Sequence, residues 1–197
     1  VLDSFLQIGL ACGAEIEANE AIAEIRQRVR SIQDKLPAAA HWPRVFSIEG
    51  INPLVLGGHW IPDLLELAGG NQDLLPSGSA AKRLKWGEVH DYNPDKLFVD
   101  LCSSDLARNL REVPWLESQE GWRNMTCVQN GEVYLIDHSY FSRPGPRTIE
   151  GLEILAQLTH PDLFNGLVPR NAVVKLDVQR YEGRPDGEIS EAFSPYY

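Results

Sequence analysis

Glu49, His59 and Trp60 lie close together in the chain, and their side chains carry chemistry that a binding cleft can use. A carboxylate accepts hydrogen bonds, an imidazole ligates or donates, and an indole stacks on a flat ring. A second group, Tyr140, Phe141 and Arg143, falls in the Gly/Pro-stiffened loop SYFSRPGPR. Arginine offers a planar fork that fits a carboxylate or an amide. Loops held by a rigid scaffold are where such residues meet ligands. Each residue also has a plainer reading. Glu49 would serve as a turn acceptor, His59 as a helix-end cap, and Trp60 as core. Arg143 or Arg147 would pair with an acid to lock the loop, and Asp137 would orient that arginine. No second His or Cys stands at ligand spacing from His59, so no metal site and no cofactor are expected. Cys102 reads as an inert core thiol. Trp86, Trp115 and Trp122 read as packing residues.

The elements that position these groups follow from periodicity. RVFSIEGINPLVLGGHWIPDLLELAGG begins with a strand, Val45 to Ile48, and ends in a helix starting near His59. Gly50, Asn52, Pro53, Gly57 and Gly58 mark the turn between them. In an open α/β sheet, ligands bind at the carboxyl ends of the strands, where Glu49 falls. Upstream, an apolar helix closes at Gly13. A longer helix from Ile16 to Leu36 carries a stripe of Ile22, Ile25, Val29, Ile32 and Leu36, with Glu24 and Arg28 paired on its wet side. Downstream come a loop, Asn71 to Ala81, a short helix headed by Trp86, and a strand, Lys96 to Leu101. A helix from Ser103 to Arg111 follows, capped by Ser103 or Ser104. A separate piece spans Pro114 to Trp122. A strand from Glu132 to Ile136 then leads to a helix with Ile149, Leu152, Leu155 and Leu158 on its apolar face. This alternation predicts a parallel sheet flanked by helices, a three-layer αβα lobe behind a long linker helix.

Composition bounds the partners. The chain has 197 residues and a formal charge of −10, which argues against nucleic acid and anionic membrane surfaces. No apolar run approaches the roughly 20 residues that span a bilayer. The three cysteines are scattered and suggest neither a zinc cluster nor a disulfide framework. Residue 1 is Val and no signal peptide is visible, which leaves the compartment open. Nucleotide-binding, zinc-protease and serine-hydrolase motifs are all missing, which weighs against an enzyme.

Three blocks then carry a resemblance: EGINPLVLGGHWIPDLLELAGG, KWGEV…NPDKLFVDLC, and GEVYLID with SYFSRPGPRTIEGLEILAQLTHPDLF. Together they resemble the cobalamin and ferric-siderophore substrate-binding proteins of ABC importers, in the corrinoid-binding-like branch. That family has two α/β lobes joined by one long helix, with ligand held between them. The resemblance implies that residues 1–13 end a first lobe whose remainder is missing, 14–41 form the linker helix, and 42–164 form the second lobe. Residues 165–197 have no counterpart and are expected to be a partly disordered extension. It further implies a non-enzymatic binding protein for a corrinoid or iron-siderophore, located in the periplasm or at the cell surface. Glu49, His59, Trp60, Tyr140, Phe141 and Arg143 would line the half-cleft. Glu88 falls within one position of the acid that docks the family's second lobe on the permease. Aromatic residues of a half-cleft left in water would favour self-association. The rival readings are a metal- or cofactor-dependent hydrolase using Glu49, His59 and Asp137, and a scaffold acting through protein contacts alone.

Overall fold

A computed structural model describes residues 2–197. Seven strands share one sheet: β1 (Val45–Ile51), β2 (Leu54–Leu56), β3 (Lys82–Arg83), β4 (Lys96–Val99), β5 (Val133–Ile136), β6 (Val173–Leu176) and β7 (Phe193–Tyr196). Their spatial order is β3-β2-β1-β4-β5-β6-β7. β1, β4 and β5 pair in parallel at the centre, as their helical crossovers require. Both flanks add what the alternation of elements did not predict. β2 returns antiparallel to β1 through the tight Asn52–Pro53 turn, and β6 and β7 extend the other edge antiparallel. The expected three-layer α/β lobe is therefore built on a parallel centre with antiparallel margins.

Among the described residues, eight α-helices accompany the sheet: α1 (Leu2–Cys12), α2 (Glu15–Gln33), α3 (Ile61–Leu67), α4 (Trp86–Tyr92), α5 (Leu106–Glu117), α6 (Thr126–Gln129), α7 (Thr148–Thr159) and α8 (Val178–Tyr181). The central strands are apolar at successive positions because both faces are covered. Phe46, Ile48, Leu97, Val99, Val133 and Leu135 enter one core with Trp122 and Met125, while Val45, Phe98, Tyr134 and Ile136 enter the other with α7. Trp86 donates its indole N–H to Glu120 O at 2.8 Å and stacks near Trp122, so both are packing residues as read. Trp115 is half-buried against the same core.

α2 lies along the second core by Ile25, Val29, Ile32 and the following Leu36, the stripe seen in the sequence. The pairing of Arg28 is different from the expected local one. Its guanidinium grips Glu153 of α7 at 2.8 and 2.6 Å, because Arg28 lies on the flank of the buried stripe and not opposite it. α1 packs on α2 where Gly9 leaves room: a Cβ there would come within 2.4 Å of the Ala18 Cβ.

Three further expectations are corrected. α5 is continuous through Pro114, where the sequence suggested a break. Proline removes the N–H that would serve Leu110 O, and Ser190 Oγ donates to that carbonyl at 2.5 Å instead. The cap of α5 is Asp105, whose carboxylate accepts from Arg108 N at 2.8 Å, and not Ser103 or Ser104. Residues 165–197 form β6, α8 and β7 and belong to the lobe. Glu117, with its side chain 1% exposed, anchors them: it accepts from Gly187 N at 2.8 Å, Ile189 N at 3.3 Å and Arg123 at 3.0 Å. Arg123 lies 4.3 Å from the Tyr181 ring, and Trp122 donates to Tyr181 Oη at 3.2 Å. These partners are 60 or more positions away from Glu117 in several cases, so local polarity gave no sign of them.

Candidate functional site: the carboxyl-end rim of the sheet

β1 and β5 both run parallel to β4, so the segments leaving them emerge on one rim. Glu49 lies near the end of β1 and Arg143 follows β5, which brings the two predicted groups to the same edge. The turn between β2 and α3 is set by close packing. Gly57 N donates to Ser47 O at 3.1 Å, and a Cβ on Gly58 would meet Ala81 N at 2.3 Å. His59 follows with φ 57°, its N–H donating to Ser79 O at 2.6 Å, and its imidazole is exposed. α3 begins two residues later than expected, at Ile61, so His59 belongs to the turn.

Trp60 joins the two halves of the rim. Its indole N–H donates to Phe141 O at 3.0 Å, and its ring lies 5.8 Å from that of His59. Tyr140 is half-buried with the Arg147 guanidinium 5.5 Å from its ring centre. Burial first, then Glu150, pushes its phenol up, against the pull of Arg147. Arg143 is exposed, and among the described residues it enters no ion pair. Thr148 Oγ donates to its carbonyl at 3.2 Å and accepts from Gly145 N at 3.1 Å, closing the loop through one hydroxyl. The loop is thus held without the arginine, whose fork has no partner among the described residues.

Phe141 is the exception. It is 2% exposed and packs in the core against Gly151, where a Cβ would approach its ring to 2.8 Å. Alternation around the tight turn His138–Tyr140 turns its side chain inward, so it supports the rim from beneath and does not line it. The expectation of cleft aromatics in water is corrected for Phe141 alone: His59 is exposed, and Trp60 and Tyr140 are half-buried. The large apolar side chains that are exposed are Ile8, Leu10, Ile16, Trp42 and Tyr197. Cys102 is also exposed: β4 stops at Val99, and the chain turns out to the rim, with Cys102 N donating to Glu49 O at 2.8 Å.

Below the rim lies a polar set that the sequence reading missed. Asp100 closes β4, is 2% exposed, and accepts from Ser47 Oγ at 2.7 Å. Burial, reinforced by neighbouring Glu49, pushes its carboxyl well above the ordinary range, while Ser47 opposes this. Burial likewise raises Glu49, against the Gly58 N–H and His59. His138 Nδ1 donates to Asp100 O at 2.7 Å, and burial holds its imidazole below the usual value. The His138 ring also lies 3.9 Å from Asp100 Oδ2. With both groups driven to their neutral forms, that contact is not an ion pair. Asn109 ties β4 to β5, donating to Ile136 O at 2.8 Å. The available signal was position: Glu49, Asp100 and Asp137 each stand where a parallel strand runs out.

The hydrolase constellation does not assemble. Asp137 accepts from Ser139 N at 2.8 Å as a cap, and no hydrogen bond among the described residues joins it to Glu49 or His59. No group of three or more His, Cys, Asp or Glu among the described residues is arranged to hold a metal. Glu88 is exposed in the first turn of α4, which starts on the rim side because β3 runs parallel to β1. It accepts from Lys85 N at 2.8 Å and lies 3.7 Å from Lys82 Nζ.

A family model described as periplasmic binding protein matches residues 1–140. The chain belongs to the periplasmic binding protein family. The curated relative found is an uncharacterized ABC transporter substrate-binding lipoprotein, YvrC, of Bacillus subtilis (strain 168), 26% identical over 169 residues. The match covers 83% of this chain and 51% of the relative, so the chain spans about half the length of the curated relative it matches. Among solved structures, a periplasmic heme binding protein from Pseudomonas aeruginosa is 20% identical with TM-score 0.69, over 82% of this chain and 60% of that one. The periplasmic vitamin B12 binding protein BtuF of Vibrio cholerae is 18% identical with TM-score 0.65, over 82% and 60%. An ABC-type Fe3+-hydroxamate transport system protein from Saccharomonospora viridis is 18% identical with TM-score 0.66, over 80% and 54%. At these identities the likeness shows the family's fold. No helix among the described residues is long and apolar enough to cross a membrane.

Proposed function

We propose that the chain is the second lobe, with the linker helix α2, of a substrate-binding protein that delivers a corrinoid or iron-siderophore to an ABC importer. The observation that carries this reading is the rim itself. Glu49, His59, Trp60, Tyr140 and Arg143 follow the strands to the carboxyl end of the sheet's parallel centre, and among the described residues Arg143 enters no ion pair. α1 would end the first lobe, in residues 1–13. Glu88, already holding the first turn of α4, would present its other face to an arginine of the permease. The setting would be the periplasm or the cell surface. Self-association, expected through the half-cleft, would also draw on α1 and the start of α2, where Ile8, Leu10 and Ile16 are exposed.

One wall contacts a ligand on one face only, so most of the water exclusion of a closed two-lobed site is absent. Affinity for a single lobe is then micromolar or weaker, since each ~1.4 kcal/mol lost costs about tenfold. Spectroscopic titration with cobalamin, cobinamide and a ferric siderophore tests this. Weak saturable binding, abolished in Arg143→Ala with Tyr140→Ala, is expected. A folded sample that binds none of the three at millimolar concentration refutes the reading.

A further inference from the structure

Trp42 is 48% exposed, immediately before β1 and therefore at the amino end of the sheet. Seven residues of extended chain put it about 23 Å from Glu49 and the rim. Two surface hollows adjoin it. One, about 540 Å³, is lined by Leu36, Pro37, Trp42, Asp63, Glu66 and Leu67, among others. The second, about 310 Å³, shares Trp42 and Glu66 and continues past Pro62 to Asn71 and Gln72. Both hollows open beside the exposed indole, and the cleft reading uses neither.

The indole is uncommitted. Trp60, Trp86 and Trp122 each donate the ring N–H to an internal acceptor, whereas among the described residues Trp42 makes no such bond. Asp63 and Glu66 are one turn apart on the exposed side of α3, and among the described residues neither enters a salt bridge. The nearest lysine in sequence, Lys35, is turned to the Phe164 ring at 5.5 Å, and Arg44 is engaged with Tyr92 and Asp95. An aromatic face beside two unneutralised carboxylates attracts a weakly hydrated cation, through the ring quadrupole and through charge together. The apolar floor of Leu36, Pro37 and Leu67 suits a cation with carbon around its charge better than a strongly hydrated metal ion.

We propose that the hollows around Trp42 form a second binding site, for an organic cation of the guanidinium or alkylammonium type. Asp63 and Glu66 supply the charge and Trp42 the face. The site lies at the opposite end of the lobe from the rim and stands or falls independently of the transport reading. The source of the cation is a free small molecule or an arginine side chain of a peptide, and the same titration separates them.

The test follows the Trp42 indole N–H resonance of the whole chain, assigned by its loss in Trp42→Phe. Titrants are tetramethylammonium chloride, arginine amide and a short Arg-Gly-Arg peptide, with sodium chloride at matched ionic strength as the control. A saturable shift with the organic cations, absent with sodium, is expected. It should weaken about tenfold or more in Asp63→Asn with Glu66→Gln. Equal affinities for arginine amide and the peptide support a free cation as the source, and a peptide at least about tenfold tighter supports a peptide segment. A shift that sodium reproduces, one that never saturates, or one that survives in the carboxamide variant overturns the site. The carboxamide variants touch exposed residues only, so they keep the test valid if changes at Trp42 itself disturb folding.

Discussion

Glu117→Ala asks whether residues 165–197 are part of the folding unit. In the native chain, one buried carboxylate accepts from Gly187 N, Ile189 N and Arg123. It also bonds the Tyr181 hydroxyl, whose phenol is pushed well up, by burial first and then by this acid. Truncation leaves the Ile189 N–H buried and unpaired, at a cost of about 1–3 kcal/mol. The charge-assisted bond to Gly187 N adds about 1–2 kcal/mol. Arg123 contributes little to the loss, since it is 40% exposed and keeps Asp186 at 3.0 Å. The expected total is about 3–4 kcal/mol, a large part of the 5–15 kcal/mol that holds a typical domain together. Urea unfolding measures it, and hydrogen exchange localises it: β6 and β7 should lose protection before β1 and β4. Glu117→Gln, which keeps one acceptor oxygen, should fall between the two. A variant within about 0.5 kcal/mol of the parent, or uniform loss of protection across the sheet, would refute the anchoring argument.

The Asp100 carboxyl, raised by burial and by Glu49, binds its proton more tightly folded than unfolded. Stability should therefore decline as pH rises above the unfolded value of about 3.9 and toward the folded one, at up to about 1.4 kcal/mol per pH unit. Asp100→Asn keeps an acceptor for Ser47 and should flatten that decline, as read from thermal melts between pH 4 and 8; an unchanged slope would show Asp100 ionised in the native state. Gly151→Ala should cost about 1–3 kcal/mol by overpacking against Phe141 and Tyr140 O, measured by urea unfolding, and a neutral result would mean that Phe141 moves freely.

The strands VFSI, KLFV and VYLI were legible because a strand covered on both faces reads as a mostly apolar run, with buried Ser47 the exception, and three such runs between helical stripes admit few topologies. The rim was legible from the polar residues that close those runs, although Asp100, which closes β4, lies beneath it. Side-chain direction was harder. Phe141 and Arg143 share one loop, yet one is core and the other free, because the turn after β5 sets which way each points. Cys102 faces water because β4 ends two residues earlier than its apolar run. Arg28 found Glu153 across two helices, where an i, i+4 partner looked sufficient.

Local pattern thus determined the parallel α/β centre, the apolar stripe of α2 and the strand ends next to Glu49 and before the Arg143 loop, since all of these follow from periodicities of two and 3.6 residues. Tertiary structure alone decided that the tail joins the sheet, that Ser190 replaces the bond Pro114 removes, and that Ser47, Asp100 and His138 meet beneath the rim. Those contacts join residues 38 to 80 positions apart. No periodicity relates such pairs; only the packed chain brings them within hydrogen-bonding distance.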